Sequence, residues 1–262
     1  MSVPVFIGDF VELPQPGEML TITGAEAKHI SVRRLKPGGT IVLTDGADAR
    51  VEVELLAVNP QQVQAQVRTA IRSPRPGPPV TVVQALPKSE RAELAVDLMV
   101  ESGVDAIVPW EAMNCVARWS GTAKQEKSRA KWQAAAREAA KQARRLWVPP
   151  VSALHSSDDV VKLIAQVRAD GGVAAVLHGE EVAPFAEFAA RAAAASQVLF
   201  IVGPEGGVSP AEVAQFRNAG AESIVLGPTV LRTALAGAAA LNALGPLTNR
   251  WSGQQAGNMG EQ

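Results

Sequence analysis

The stretch GPEGG, residues 203–207, has the composition of a loop that binds a ligand through its backbone. It follows the apolar run 198–202, and Ser209 begins an S-x-x-E sequence that is typical of a helix N-terminus. Glycine lets a backbone approach a ligand closely. The loop lacks the Gly-Lys-Ser/Thr of a P-loop and the G-x-G-x-x-G of a dinucleotide site, and the carboxylate of Glu205 would repel phosphate. We therefore expect a ligand without phosphate that carries a cationic or hydrogen-donating group; a tight turn without a ligand is the alternative.

Two other predicted strand ends carry loops of the same kind. Residues 223–232 run from a predicted strand through a Gly-Pro pair toward the last helix, and residues 174–181 place a histidine and a glycine after another strand. Open α/β sheets bind ligands beyond the carboxyl ends of their parallel strands. We therefore predict that the three loops enclose one flat small molecule, mainly with backbone groups and aliphatic side chains. The predicted contacts are Leu177, His178, Gly179, Gly203, Pro204, Glu205, Gly206, Leu226, Gly227, Val230, Leu231 and Arg232.

The segment SPRPGPP, residues 73–79, is predicted to link two domains, because residues that precede proline favour extended backbone. Before it, residues 40–46, 50–58 and 62–71 have the composition of strands, and the first two are predicted to pair as a hairpin. Residues 1–72 are therefore expected to form a small β-rich domain.

After the linker, apolar runs of strand length alternate with segments of helix length. This alternation predicts an α/β domain with a mainly parallel sheet that helices cover on both faces. The residues after Trp251 are predicted to be a flexible tail. The predicted strands are 80–86, 106–110, 174–178, 198–202 and 223–226, and the predicted helices are 89–103, 122–145, 157–169, 184–195, one from 209, and 233–245.

The composition is that of a globular protein with a limited basic surface. The 262 residues carry a formal net charge of −1, yet residues 124–147 contain eight basic and two acidic residues, and residues 28–36 form a second basic cluster. Such patches fit a polyanionic partner, although solvated helix faces would give the same pattern. Cys115 is the single cysteine, which excludes an internal disulfide and predicts a buried, inert thiol. The first residues do not resemble a secretion signal, so the cytoplasm is the expected compartment.

The sequences GPEGG (203–207) and LGPTVLRT (226–233) together resemble the paired signature of the SPOUT class of S-adenosylmethionine-dependent RNA methyltransferases. More closely, the chain is similar to the RsmE-type enzymes, which methylate N3 of a uridine in 16S ribosomal RNA of the small subunit. The segments 29–39, 84–109 and 131–151 also match motifs of that family, in the same order. The resemblance therefore covers nearly the whole chain.

The resemblance implies a fold, a cofactor and partners. It implies a PUA-like β-barrel that binds RNA over residues 1–72, and a SPOUT α/β domain with a deep trefoil knot over residues 80–250, joined by the linker 73–79 and followed by the flexible tail 251–262. S-adenosylmethionine would bind within the knot, and two protomers would pair as a homodimer. No metal is required, because the sulfonium carries an activated methyl group.

The resemblance also implies roles for individual residues. Arg232 is expected either to stabilise negative charge on a uracil oxygen or to hold a phosphate. Glu205 is expected to accept the uracil proton or attract the sulfonium, unless it binds through its backbone alone. The expected RNA contacts are His29, Arg33, Arg34, Lys88, Arg137, Lys141 and Arg144.

Two departures from the family pattern keep other functions open. The family has an acidic residue where this chain has Ala234, and a lysine near the position of Leu98. A SPOUT methyltransferase with another target, such as a transfer-RNA ribose 2′-hydroxyl, and an RNA-binding protein that has lost catalysis are therefore alternatives. The N-terminal motif in residues 29–39 favours the ribosomal RNA enzyme over the first of these.

Overall fold

The computed structural model describes residues 3–88, 91–178 and 183–251 of the chain. These residues divide into two compact units. The first unit contains the chain up to Arg75 together with Ala140–Val148, and the second contains Pro76–Ala139 and the chain from Pro149 onward.

The first unit is a five-stranded sheet with one helix packed on it. The edge strands do not pair with each other in the part of the unit that is described, so the sheet is open where the sequence predicted a barrel. The predicted hairpin over residues 40–58 is confirmed as an antiparallel pair. The elements are β1 (Val5–Ile7), β2 (Met19–Thr23), α1 (Gly24–Val32), β3 (Thr40–Thr44), β4 (Ala49–Val58) and β5 (Gln62–Arg72), and the strand order is β1-β3-β4-β5-β2.

Period-two alternation of side chains builds the core of this unit. In β4 the side chains of Val51, Val53 and Leu55 are buried, and β5 contributes its own alternate positions to the same core. The helix α1 adds Ala27 and Ile30 to that core. The sequence did not predict α1, because two buried positions in nine residues give too weak a helical period.

Residues 140–148 belong to the first unit although they lie far along the chain. Leu146 packs against Val5 and Val42 in a small apolar cluster, and its carbonyl oxygen accepts a 2.6 Å hydrogen bond from the Thr44 hydroxyl. Val148 N–H donates to Gly46 O at 2.8 Å. The first unit is therefore assembled from two separate stretches of chain.

The second unit contains the parallel sheet that the sequence predicted. All its strand pairs are parallel, in the order β10-β8-β9-β6-β7. Every residue of β9 is buried, which shows that both faces of the sheet are covered. The elements are β6 (Val80–Ala85), α2 (Ala92–Glu101), β7 (Ala106–Trp110), α3 (Thr122–Gln142), α4 (Ser157–Ala169), β8 (Val173–Leu177), α5 (Phe185–Ala192), β9 (Val198–Val202), α6 (Pro210–Asn218), β10 (Ala221–Ile224) and α7 (Thr233–Leu244).

The helices pack in two groups. α7 contacts α2, β6 and β9, whereas α4 contacts α6, β8 and β9. Two 3₁₀ turns, Gly245–Leu247 and Asn249–Trp251, follow α7. Among the described helices, none has the length and apolar content needed to cross a membrane.

Two predicted boundaries are wrong by a few residues, for local reasons. The long helix α3 ends at Gln142 and not near residue 145, because Arg144 adopts a positive φ of 56° that a right-handed helix cannot continue. The last strand covers 221–224 and not 223–226, because Val225 leaves the sheet edge and donates its N–H to Ala183 O at 3.2 Å.

Candidate active site

A cleft of about 1130 Å³ lies beyond the carboxyl ends of β8, β9 and β10 in the second unit. Its walls include the predicted loops after β9 and β10 and, from the predicted loop after β8, Leu177 and His178. Gly179, a predicted contact, lies outside the described residues. The other predicted contacts all line this one cleft: Leu177, His178, Gly203, Pro204, Glu205, Gly206, Leu226, Gly227, Val230, Leu231 and Arg232.

The 203–207 loop is fixed at its end by the helix that follows it. The Ser209 hydroxyl accepts a hydrogen bond from Glu212 N–H, and the Glu212 carboxylate accepts from Ser209 N–H, so the predicted capping box is confirmed. A Cβ added to Gly203 would lie 2.6 Å from Val208 Cγ2, so only glycine fits at that turn. Residues 203–207 therefore form a tight turn, as their composition predicted.

The segment after β10 presents unpaired backbone donors to the cleft. Among the described residues, no hydrogen bond is donated by the backbone N–H groups of Leu226, Gly227, Thr229, Val230 and Leu231. Backbone N–H groups in proteins are almost always paired with protein, water or a ligand. This segment is therefore a row of donors available to a bound molecule.

Three of the predicted contacts that line the cleft have ionisable side chains. Glu205 is exposed, and its Oε1 accepts a 3.2 Å hydrogen bond from Lys88 N–H. Arg232 caps the N-terminus of α7 through its carbonyl oxygen, which accepts from Leu235 N–H at 2.8 Å. Its guanidinium is exposed and forms no ion pair or hydrogen bond within the described chain. His178 Nδ1 is buried there without a hydrogen-bond partner among the described atoms.

The loop between β7 and α3, residues 111–121, forms a wall that the sequence did not predict. Asn114 lines the cleft, and its Nδ2 donates to Gly206 O at 3.3 Å and to Gly207 O at 3.1 Å. Arg91, Arg217 and further residues of α6 also line the cleft. Nothing in the local sequence of 111–121 marks it as part of the site, because its contacts are to residues more than 90 positions away.

Glu212 holds three of these segments together. Its carboxylate accepts hydrogen bonds from Met113 N–H at 2.8 Å, Ser157 Oγ at 2.7 Å and Ser209 Oγ at 2.7 Å. Burial alone would raise the pKa of the Glu212 carboxyl, but these hydrogen bonds outweigh it and hold the pKa below its ordinary value. The charged carboxylate therefore holds Met113, the neighbour of the cleft residue Asn114, in place at neutral pH.

Replacing Glu212 with glutamine is expected to destabilise the protein at pH 7 by roughly 2–3 kcal/mol, because one amide cannot accept all of these bonds. The folded pKa of Glu212 is below its ordinary value of 4.5, so its charge contributes stability above that pH. This contribution is lost as the pH falls through the lower, folded pKa. Urea unfolding at a series of pH values should show the gap between wild type and Glu212→Gln narrowing in acid. Glu126→Gln, on the exposed surface of α3, is the control; equal stability of both variants at pH 7 would contradict the assigned role.

The residues predicted to contact RNA occupy different environments. Arg33, Arg34 and Arg144 are exposed in the first unit, and Lys88 and Arg137 are exposed in the second. Arg33 donates to His29 Nε2 at 3.1 Å and to Gln142 Oε1 at 3.0 Å. These placements leave their RNA contacts as predictions.

Two of the RNA predictions need correction. Lys141 is only 8% exposed and forms a 2.9 Å ion pair with Glu26, so it is not available to a phosphate. Arg144 lies beyond the end of α3 and therefore does not share a helical face with Arg137. Residues 137, 141 and 144 have the i, i+4, i+7 spacing of one helical face, but that spacing shows neither that α3 ends at Gln142 nor that Lys141 meets Glu26 of α1.

The remaining side-chain prediction concerns the single cysteine. Cys115 is buried and free, and burial raises the pKa of its thiol. The prediction of a buried thiol is confirmed, and its low reactivity stays a prediction with which the raised pKa agrees.

Comparison with known proteins identifies the class to which this fold and cleft belong. A family model described as an RNA methyltransferase domain matches residues 74–245, and one described as an RNA methyltransferase PUA domain matches residues 22–68. The chain is thus an RNA methyltransferase with a PUA domain.

Comparison with individual relatives identifies the family within this class of RNA methyltransferases. The chain is 42% identical to the ribosomal RNA small subunit methyltransferase E of Mycobacterium bovis over 91% of this chain and 90% of that protein. It is 29% identical to the Bacillus subtilis protein of the same name, over 94% and 98% of the two chains. A crystal structure of the Neisseria gonorrhoeae protein of that name, bound to S-adenosyl methionine, has the same fold, with a TM-score of 0.82 at 23% identity over 94% of this chain and 98% of that chain. The chain belongs to the ribosomal RNA small subunit methyltransferase E family, as the motif resemblance predicted.

Proposed function

We propose that this protein transfers the methyl group of S-adenosylmethionine to N3 of a specific uridine in 16S ribosomal RNA. The observation that carries the proposal is the single cleft in which all the described predicted contacts meet. Family membership supports the class of reaction, and the names of the relatives support small-subunit ribosomal RNA as the substrate.

The chemistry of the cleft fits S-adenosylmethionine. The unpaired N–H groups of residues 226–231 suit the polar edge of an adenine or the ribose hydroxyls. Leu177, Leu226 and Leu231 supply aliphatic surface for a flat ring, and the buried Nδ1 of His178 can pair with a polar group of the ligand. The carboxylate of Glu205 is of the right sign to attract a sulfonium. When bound, the cofactor supplies an activated methyl group, so no metal is needed.

The protein's own groups have two tasks in the proposed reaction. Loss of the N3 proton leaves negative charge on the flanking uracil carbonyl oxygens. The Arg232 guanidinium, always charged and free of partners among the described residues, is placed to stabilise that charge. Glu205 is the proposed proton acceptor, since its carboxylate faces the same cleft. The target base would have to be unstacked to enter the cleft.

We extend the proposal to the chain path and the assembly. From β10 at the sheet edge, residues 225–232 return to α7, which packs on β6 and β9 in the middle of the sheet; this path suits the trefoil knot implied by the resemblance. The packed helices α2 and α7 leave Leu94 and Leu235 exposed, at 49% and 44%, which suits a homodimer interface. The proposed substrate places the enzyme in the cytoplasm.

The alanine at position 234 does not favour the alternative function, that of an RNA-binding protein that has lost catalysis. Ala234 is buried in the first turn of α7 and does not line the cleft. Arg232 and Glu205, the proposed catalytic residues, line the cleft in a chain that has alanine at position 234.

The test of the proposal is a map of methylated nucleosides in 16S ribosomal RNA from cells with and without the protein. We expect one 3-methyluridine to disappear on deletion and to return when the purified protein and S-adenosylmethionine are added to the isolated small subunits. Deletion that leaves every methylated uridine in place, or that removes a ribose methyl group, would overturn the proposal.

A further inference from the structure

A second cavity, of about 640 Å³, lies in the same unit as the active-site cleft. Its described walls come from residues 86–88, 92–93 and 116–119 and from α3. Pro87, Val116, Trp119 and Trp132 supply apolar surface, and Lys88 and Lys124 supply positive charge. The volume is within the range of about 300–1,000 Å³ that suits small ligands or single nucleotides.

The charge of this cavity favours an anionic occupant. Of its basic side chains, Lys131 pairs with Glu93 at 2.5 Å and Arg118 pairs with Glu111 at 3.2 Å. Lys88 and Lys124 are exposed, and neither side chain forms an ion pair within the described chain. Two cations that form no ion pair with the described residues, together with an apolar lining, match a nucleotide, whose phosphate is anionic and whose base is flat and largely apolar on its faces.

The cavity and the cleft share a wall. Lys88 lines the cavity, while its backbone N–H bonds to Glu205, which lines the cleft. In the same way, Val116 lines the cavity and Asn114, two residues earlier, lines the cleft. A strand of RNA with one base in the cleft can therefore continue over this wall into the cavity.

The shared wall is held firmly on both sides. Arg118 donates to Ala112 O at 3.2 Å and to Met113 O at 3.0 Å, and Trp119 N–H donates to Glu111 Oε2 at 3.2 Å. Met113 N–H is in turn bonded to Glu212 at 2.8 Å. The cavity is thus formed before any ligand arrives, which lowers the cost of binding.

We propose that this second cavity binds a nucleotide next to the target uridine in the substrate RNA, with Lys124 and Lys88 holding its phosphate. The proposal rests on the proposed function, since it assumes that the substrate is RNA. Binding of a neighbouring nucleotide would position the strand and add sequence context to the choice of uridine.

The first experiment locates RNA on the protein. A 16S ribosomal RNA transcript that contains 4-thiouridine is cross-linked to the full-length protein by ultraviolet light, and the modified peptides are mapped by mass spectrometry. We expect cross-links in the peptides that carry the cavity residues, within residues 86–93 or 116–132. Cross-links confined to other parts of the chain would overturn the proposal.

The second experiment compares Lys124→Gln with a matched control, Lys127→Gln, which is exposed on the same helix but does not line the cavity. Loss of one phosphate contact should lower the slope of log affinity against log salt by about 0.7 for single-stranded RNA. Ser128→Phe, which adds bulk inside the cavity without changing charge, should also weaken RNA binding. Affinity for S-adenosylmethionine should stay at the wild-type value in all three variants.

The results of these experiments distinguish a failure of the cavity proposal from a failure of the proposed function. A wild-type protein that methylates 16S ribosomal RNA, with Lys124→Gln and Ser128→Phe matching it in RNA affinity and salt slope, would overturn the cavity proposal alone. A wild-type protein that neither binds nor methylates the RNA would overturn both.

Discussion

Arg232→Lys is expected to fold and to bind S-adenosylmethionine normally, yet to transfer the methyl group ~100-fold more slowly or worse, as when one transition-state donor is removed. The guanidinium presents a rigid planar fork of donors, whereas an ammonium is a compact charge on a flexible stem. Arg232 lines the cleft, and its side chain has no partner among the described residues, so its donors are free for the substrate.

The measurement is the single-turnover rate with excess enzyme and saturating RNA. If Arg232 only held a phosphate, the lysine would keep most of the rate at saturation and would mainly raise the apparent KM. Arg191→Lys is the control, because Arg191 pairs with Glu222 on the surface and does not line the cleft. A rate within a few-fold of wild type would remove Arg232 from the catalytic residues.

Gly206→Val is expected to weaken S-adenosylmethionine binding by ~10- to 100-fold, the equivalent of about 1–3 kcal/mol of overpacking. A Cβ at position 206 would lie 3.1 Å from Asn114 Cβ and 3.2 Å from Asn114 O, so the loop and the shared wall would have to move apart. Calorimetric titration with S-adenosylmethionine and with its demethylated product measures the effect; wild-type protein should bind both, but neither ATP nor NAD.

Gly227→Ala gives a complementary test in the same cleft. A Cβ there meets no atom of the described residues within 4 Å, so the variant should fold as wild type does. Any loss of affinity for S-adenosylmethionine would then indicate that residue 227 contacts the bound ligand. For Gly206→Val, an affinity for S-adenosylmethionine equal to that of wild type would contradict the assignment of the 203–207 loop to the cofactor site.

The main features of the cleft could be predicted because their signals are local. A Gly-Pro pair after an apolar run, followed by the capping box at Ser209, specifies a strand, a turn and a helix within fifteen residues. The helix at Ser157–Ala169 was predicted with its observed bounds, and the structure shows a second capping box at Ser156 before it. Parallel strands then bring their carboxyl ends to one edge, and the loops with them.

The features that escaped prediction depend on contacts between distant residues. The wall 111–121 has no periodicity of its own and is positioned by Asn114 and Glu212 across the sheet edge. Lys141 has the spacing of a surface cation, but its partner Glu26 lies 115 residues away. A helical period in the sequence predicts which residues share one face of a helix. It does not identify the distant residues against which that face packs.

The two-part composition of the first unit has a consequence for how the chain matures during synthesis. When the ribosome has made the first 75 residues, it has not yet made the segment Ala140–Val148, which contains Leu146. At about 5–20 residues per second, the intervening chain takes several seconds to appear. Throughout that time the side chains of Val5 and Val42 lack their apolar partner, and the Thr44 hydroxyl lacks its acceptor. The N-terminal unit therefore reaches its final form only after more than half of the polypeptide has been translated, and a fragment cut between Arg75 and Pro76 would remain permanently in the unfinished state.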